Sequence, residues 1–588
     1  MNVHRRSSSM NIKLTLAAAL AFAGVWLCAA LLGGERSTGY RFGWAIAAVL
    51  LTVGGYRFLS MLAPRAKRIY GLFGFLFAAA QAMGFRLQTA GESGVVGLLL
   101  VIGVGICLAP AMGFAAERLA ALLAQPVRSP SQASPRKVFG ISFAVILLCW
   151  LPVFLAYYPG LFAYDVSTQI TEIVTGELTT RNPLLHTLYL GGFYLLGEAL
   201  GNVNTGVALS VGVQMLVMAG VFAYAAAYLA SLRAARGSMW FTVAFFALFP
   251  VHAMLAISCT KDTLFCGLLL LYALQLHRLS RNPALLRSWR WVAPTALAAV
   301  VLCLLRNNAF FGILMCVPLG FLIVPRPLRA RLAAVLLGAL VLSLSLNMGL
   351  KAMFNAKGIS ATELVSVPSQ QLSRVYALQG DALPASVEIA AYLPTVEKYL
   401  PYTADPVKTF AAVKKPAKMW GFLKLWGKLG LQYPLTYLDA YLLTSQGYWW
   451  LNDTTHARIY GEGLATRQGY LLTDTKPGFG VTPQSQLPAL ESLLERLFSA
   501  NEYQRAPILS LLFAPALYGW FTLFSLCRAI EQRRRDLALF SGFLLCYMVP
   551  LWFGACVLIR YAYPMVVCAP LLLFLPVKPA TEGSASVA

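Results

Sequence analysis

Runs of apolar residues long enough to cross a bilayer recur along this chain, and they restrict its fold more than any other feature. They lie near residues 12–33, 42–63, 69–88, 94–113 and 138–158, then near 205–231, 239–258, 262–276, 292–305, 309–324 and 332–350, and finally near 507–527, 537–558 and 561–576. About twenty apolar residues in a helix span the hydrocarbon of a membrane. The expected fold class is therefore an all-α polytopic membrane protein with about fourteen transmembrane helices.

Charge agrees with that reading. Hydrophobic residues make up 59% of the chain, and the mean hydropathy of +0.67 is far above that of a soluble domain. A net charge of +24 would suit a nucleic-acid partner, but the basic residues sit in short turns between apolar runs rather than on one face or tail. They are topogenic charge, and no nucleic acid is expected. None of the eleven cysteines forms a Cys-x-x-Cys pair and none lies between Lys351 and Glu502, so neither a disulfide framework nor a thiolate metal site is implied. The opening MNVHRRSSSMNIK has the basic flank of a signal sequence without a clear cleavage site, and reads as the start of a retained first span.

The stretch Leu184 to Leu200 decides orientation. If it crossed the bilayer, Arg233, Arg236, Arg278, Arg281, Arg287, Arg290, Arg326, Arg329 and Arg331 would all face outward. As a juxtamembrane helix in the outer interface, it leaves them on the cytoplasmic side with Arg65, Lys67, Arg68, Arg136, Lys137 and Arg533 to Arg535. Four segments follow: an N-terminal four-helix membrane extension over 1–137, a membrane core over 138–350 with its first outer loop at 159–204, an extracytoplasmic insert over 351–505, and a C-terminal three-helix membrane segment over 506–588. Both termini are expected in the cytoplasm, with a disordered tail from Pro579 to Ala588. Between Ala417 and Gly430, Lys418, Lys424 and Lys428 alternate with Trp420, Phe422, Leu423, Trp426 and Leu429. That pattern suits a helix resting on lipid headgroups, or equally a soluble helix packed on the insert's own core.

The same orientation sends four polar clusters to the outer rim: Asp165, Lys261-Asp262, Arg306-Asn307-Asn308 and Arg560-Tyr561. Asp165 emerges after Tyr157-Tyr158-Pro159-Gly160; it is either a cap for the segment running through Gln169 or, partly shielded from water, a carboxylate of raised pKa that accepts a proton. Lys261 and Asp262 suit helix capping and phosphate binding alike. Outward arginines at 306 and 560 oppose the positive-inside trend, which implies an anionic partner or headgroup snorkelling. Asn307 and Asn308 suit sugar hydroxyls or exposed helix-end carbonyls. His186 and His252 have no metal-ligand neighbours in sequence and read as hydrogen-bonded structural residues.

The segments YYPGLFAYDVSTQ, NPLLHTLYLGGFYLLG, TKDTLF, RNNAFFGIL, SVPSQQLSRVYAL, YTADPVK, YPLTYLDAYLLTSQGYWW and RYAYPMVVCAPLLL occur in this order. Together, from about Val138 onward, they resemble a family of large, functionally uncharacterised bacterial membrane proteins that is itself similar to the GT-C glycosyltransferase superfamily. The resemblance implies a GT-C-like core in a bacterial cell membrane, a polyprenyl-phosphate sugar as donor, and an envelope glycan, lipid or protein as acceptor. It places Asp165 and Asp262 as catalytic carboxylates, Lys261, Arg306, Asn307, Asn308, Arg560, Tyr561, His186 and Gln169 around the donor phosphate and substrate, and Leu184 to Leu200 as the juxtamembrane helix. Two departures are visible. Asp165 is followed by Val166-Ser167 rather than forming an Asp-x-Asp pair, so no cofactor is expected and a divalent metal lacks its usual motif. Asn182-Pro183, with His186 further on, stands where some members carry His-Pro. The rival functions are transport or flipping of a lipid-linked saccharide and non-catalytic glycan binding; coupled carriers usually place charges at the membrane midplane, whereas here they collect at one rim.

Overall fold

A computed structural model describes residues 2–31, 38–125, 130–161, 164–358, 361–413, 415–452, 480–482, 484–498 and 508–576; the expected tail, Pro579 to Ala588, lies outside them. Every extended element among these residues is a helix, and β-pairing is limited to isolated bridges. The first fourteen α-helices are α1 Asn2–Leu31, α2 Thr38–Met61, α3 Pro64–Ala90, α4 Val95–Leu123, α5 Pro135–Ala156, α6 Tyr164–Thr175, α7 Leu184–Ala199, α8 Val203–Ser231, α9 Arg236–Leu248, α10 Pro250–Ala256, α11 Lys261–Arg281, α12 Trp289–Leu305, α13 Asn308–Ile323 and α14 Arg326–Met353. Helices Pro515–Glu531, Arg535–Leu551 and Ile559–Phe574 close the chain.

Eight described helices are long and apolar enough to cross a membrane, or nine if α9 and α10, bent by 52°, count as one span. Helices α12, α13 and Ile559–Phe574 are apolar but shorter. Large apolar side chains stand exposed on the outer faces, among them Leu99 on α4, Leu148 on α5, Leu297 on α12 and Met348 on α14. An apolar exterior this extensive is the surface of a membrane-embedded protein. Proline supplies many helix starts, at Pro64, Pro135, Pro250, Pro416, Pro434 and Pro515, because a first-turn residue needs no amide donor.

Following the helices in chain order separates two ends of the bundle. Arg65 donates to the carbonyl of Ile530, Arg534 to those of Leu575 and Pro576, and Gln532 to that of Ala120. Arg278, Arg281, Arg236 and Arg326 also lie at helix ends that alternate to this side. At the opposite end the starts of α11, α13 and the Ile559–Phe574 helix meet the ends of α5 and α12. At 29 residues, α8 is about 43 Å long, more than the hydrocarbon thickness of about 30 Å. Its first turns carry α7: Tyr189 donates to the Ser210 carbonyl, and Gly197 and Gly206 pack backbone to backbone. Helix α7 has 16 residues, too few to rank among the long spans.

The insert lies over that second end. Its helix Ser366–Gln379 holds Arg374, which donates to the Gly91 carbonyl in the α3–α4 turn and lies 4.0 Å from Asp439. Asp439 in turn accepts from the Ser93 amide. Helix Pro416–Gln432 turns Phe422, Leu425 and Leu429 into the insert's own apolar core, and Trp426 donates to Gln371. Over Ala417 to Gly430 one face packs on the insert's own core, and Trp420 stands exposed beside Lys424 on the other.

Candidate functional site

Three helix starts and two loops bring the outer-rim residues into one cluster. After α5, Gly160 adopts φ +144°, and a Cβ there would stand 2.7 Å from Val211; only glycine passes so close in that left-handed region. The chain then pairs with the break before α11: the Leu161 amide donates to Ile257 and the Cys259 amide to Leu161. This pairing fixes Asp165 opposite Lys261. Gln214 on α8, buried, donates through one amide nitrogen to the carbonyls of both Ala256 and Ser258 at 2.8 and 2.7 Å. The extended residues ahead of α11 are thereby held open, and Thr260 caps the helix from its side chain.

Lys261 Nζ donates to Asp165 Oδ2 and to Asn182 Oδ1, each at 2.8 Å. Arg306 bonds Asp262 directly. Arg560 lies between the two carboxylates, its Nη1 3.9 Å from Asp165 and its Nε 3.8 Å from Asp262. The Tyr561 ring lies 4.6 Å from the Arg306 guanidinium and 5.1 Å from that of Arg560, a cation–π arrangement that holds both planes. Among the described residues, these three cations and two carboxylates sum to one positive charge, a balance that suits an anionic ligand.

The carboxylates differ in access. Asp262 has 1% of its side chain exposed and Asp165 29%. Asp262 anchors Arg306, since breaking a buried pair of this kind costs about 3–5 kcal/mol, whereas Asp165 faces the open side. The raised pKa expected for Asp165 is corrected here: burial pushes it up, but the Lys261 and Arg560 charges outweigh that and hold the carboxyl well below its ordinary range. His186 on α7 is buried, with Nδ1 3.2 Å from Gln169 Oε1, while Gln169 Nε2 donates to Thr187. Burial first, and the Lys261 charge second, lower its pKa to about 3, so the imidazole is neutral at physiological pH.

Asn307 is exposed at the start of α13 and Asn308 half-buried one residue on. Asn307 lines a separate cleft of about 170 Å³ beside the cluster, with Asn182, Asn347 and Lys351. Sequence reasoning missed the roles of Asn182 and Gln214, neutral residues whose positions only the fold connects; Gln214 had the signal of an amide within an apolar run, whereas Asn182, following Thr179-Thr180-Arg181 in a polar loop, had none. Among the described residues, no group of three or more His, Cys, Asp or Glu side chains could hold a metal ion.

No solved structure matches this chain. Over 66 residues, 11% of this chain, it is 38% identical to metallophosphoesterase 1 of Pongo abelii, and it covers only 16% of that relative. A far longer match spans residues 174–586, taking in His186, Lys261, Asp262, Arg306 and Arg560, with Asp165 and Gln169 just ahead of it. By that match the chain belongs to DUF6020, a family of unknown function.

Proposed function

We propose that the protein is a membrane glycosyltransferase of GT-C-like architecture. Its bundle carries about fourteen spans, its cluster end faces away from the cytoplasm, and both termini lie inside. The supporting observation is the convergence of Asp165, Lys261, Asp262, Arg306 and Arg560 into one half-open group with an excess positive charge. The donor is a polyprenyl-phosphate sugar and the acceptor a hydroxyl of an envelope glycan, lipid or protein.

In the transfer, the acceptor oxygen forms a bond to the sugar's anomeric carbon from the face opposite the phosphate. The carbon–oxygen bond to phosphate breaks, and its electron pair leaves with the polyprenyl phosphate. The acceptor proton passes to Asp165. Lys261 and Arg560 are drawn to the developing phosphate charge, which loosens their hold on Asp165 and raises its basicity as the proton arrives. Asp262 keeps Arg306 in place, and Tyr561 keeps the two guanidinium groups apart.

Transport of a lipid-linked saccharide draws on the break between α9 and α10. That break is packed rather than open: Phe222, Phe245, Phe246 and Phe249 surround His252, which bonds Tyr563. Asp165→Asn tests the transfer reading. The variant should bind lipid-linked donor as the wild type does and lose at least 100-fold in transfer measured with membranes and radiolabelled donor; unchanged transfer would remove Asp165 from the mechanism.

A further inference from the structure

Residues 409–438 of the insert hold five lysines and no aspartate or glutamate, so nothing within the segment neutralises its charge. Helix Pro416–Gln432 runs through the middle of it and has two faces. Phe422, Leu425 and Leu429 enter the insert's core. On the opposite face Trp420, Lys424, Lys428 and Leu431 follow at intervals of four, four and three residues, the spacing of a single helical stripe. All four are exposed, Trp420 to 61% and Leu431 to 88%. Gly427 belongs to the same stripe, and a Cβ added there would meet nothing within 4 Å.

Water suits the lysines of that stripe but not the indole and the leucine beside them. Trp, Leu and Lys together on one exposed face are the make-up of an interfacial helix, with rings and apolar stems among the headgroups and ammonium groups at the phosphates. Lys424 lies 5.5 Å from the centroid of the Trp420 ring, so charge and ring are presented together. The first turn has no acidic residue and carries Lys418, a placement that the helix dipole opposes and an external anionic surface offsets.

The helix is also fastened near the edge of the bilayer. Gln371 accepts from Trp426, and Arg374, one turn further along Ser366–Gln379, donates to the Gly91 carbonyl in the turn that joins the spans α3 and α4. Directly after it, helix Pro434–Ser445 packs Leu443 against Leu31, Leu87 and Val101 of the leading spans. We propose that the exposed stripe of Pro416–Gln432 docks on anionic phospholipid headgroups of the leaflet at the cluster end. Trp420 and Leu431 enter the headgroup–acyl boundary, and Lys424 and Lys428 meet phosphates. The contact is with the lipid surface, apart from the charged cluster, and does not depend on the transferase reading.

The test uses the full-length protein in nanodiscs of phosphatidylcholine alone or mixed with phosphatidylglycerol. An environment-sensitive fluorophore on Leu431→Cys reports docking through quenching by lipids spin-labelled near the headgroup. The same fluorophore on Val387→Cys, exposed elsewhere on the insert, is the reference, and the signal of equally treated wild type is subtracted for the native cysteines. Quenching at 431 should exceed that at 387 in acidic discs and weaken in neutral discs or high salt. A lysine near an acidic surface contributes about fivefold, so Lys424→Glu combined with Lys428→Glu should lower the docked-to-free ratio at least tenfold. The melting temperature should stay within a few degrees of wild type. Absence of quenching at 431 in acidic discs would overturn the proposal, as would equal quenching at both positions or quenching that the double variant leaves intact. A probe at 431 that stays in water until soluble polyglutamate shields it would overturn it too, and assign the face to an acidic polymer.

Discussion

Asp165 and Asp262 were equivalent in sequence, each an acidic residue at the boundary of an apolar run. Exposure separates them: one closes onto Arg306 and the other meets solvent. The charge types could be read from the sequence, because ionisable groups are conspicuous in apolar surroundings. Their pairing could not, because it depends on the chain folding back over a sequence separation of 96 between Asp165 and Lys261, and so the expected direction of the Asp165 shift was wrong. His186 gives a pH test. Its folded pKa of about 3 lies below the unfolded value of about 6.5, so the unfolded chain binds the extra proton between those limits. Stability should therefore fall as pH drops from 6.5 toward 3, by up to about 1.4 kcal/mol per unit from this group. His186→Asn should flatten that part of the profile in melting curves taken in detergent, and a slope identical to wild type would show that the imidazole is not buried neutral.

At the scale of elements, the site is made by helix ends rather than helix faces. The apolar runs located the helices, since hydrophobic length is a strong signal, but not the seven-residue helix α10 or the break behind it. Those are tied to Gln214, which donates to the carbonyl of Ala256 at the end of α10 and to that of Ser258 two residues on. Gln214→Leu removes both bonds while preserving most of the side-chain volume. Unfolding measured by thermal melting should become easier by about 2 kcal/mol or more, and transfer should fall with it because Lys261 and Asp262 directly follow the freed segment. Helix Pro416–Gln432 shows the opposite limit: lysines alternating with aromatics fit two environments equally, and only the fold shows which side chains, Phe422 among them, enter the insert's core.

Across the whole molecule, alternation of helix direction puts the basic turns at one end and the charged cluster with the insert at the other. Outward placement of the insert predicts a labelling pattern. A cysteine replacing Val387, which is 81% exposed on the insert, should react with a membrane-impermeant maleimide in intact cells. One replacing Ala284, exposed in the turn between α11 and α12, should react only after permeabilisation. The reverse pattern would invert the proposed orientation. The insert's links to the α3–α4 turn through Arg374 and Asp439, and to the last loop through the Ala404 amide and Ala555 carbonyl, span the chain from near its beginning to near its end. The leading four helices thus act as a buttress under a lid they do not belong to: they lie ahead of the stretch that defines the family, yet shaving them away would leave the canopy over the charged group leaning on one wall.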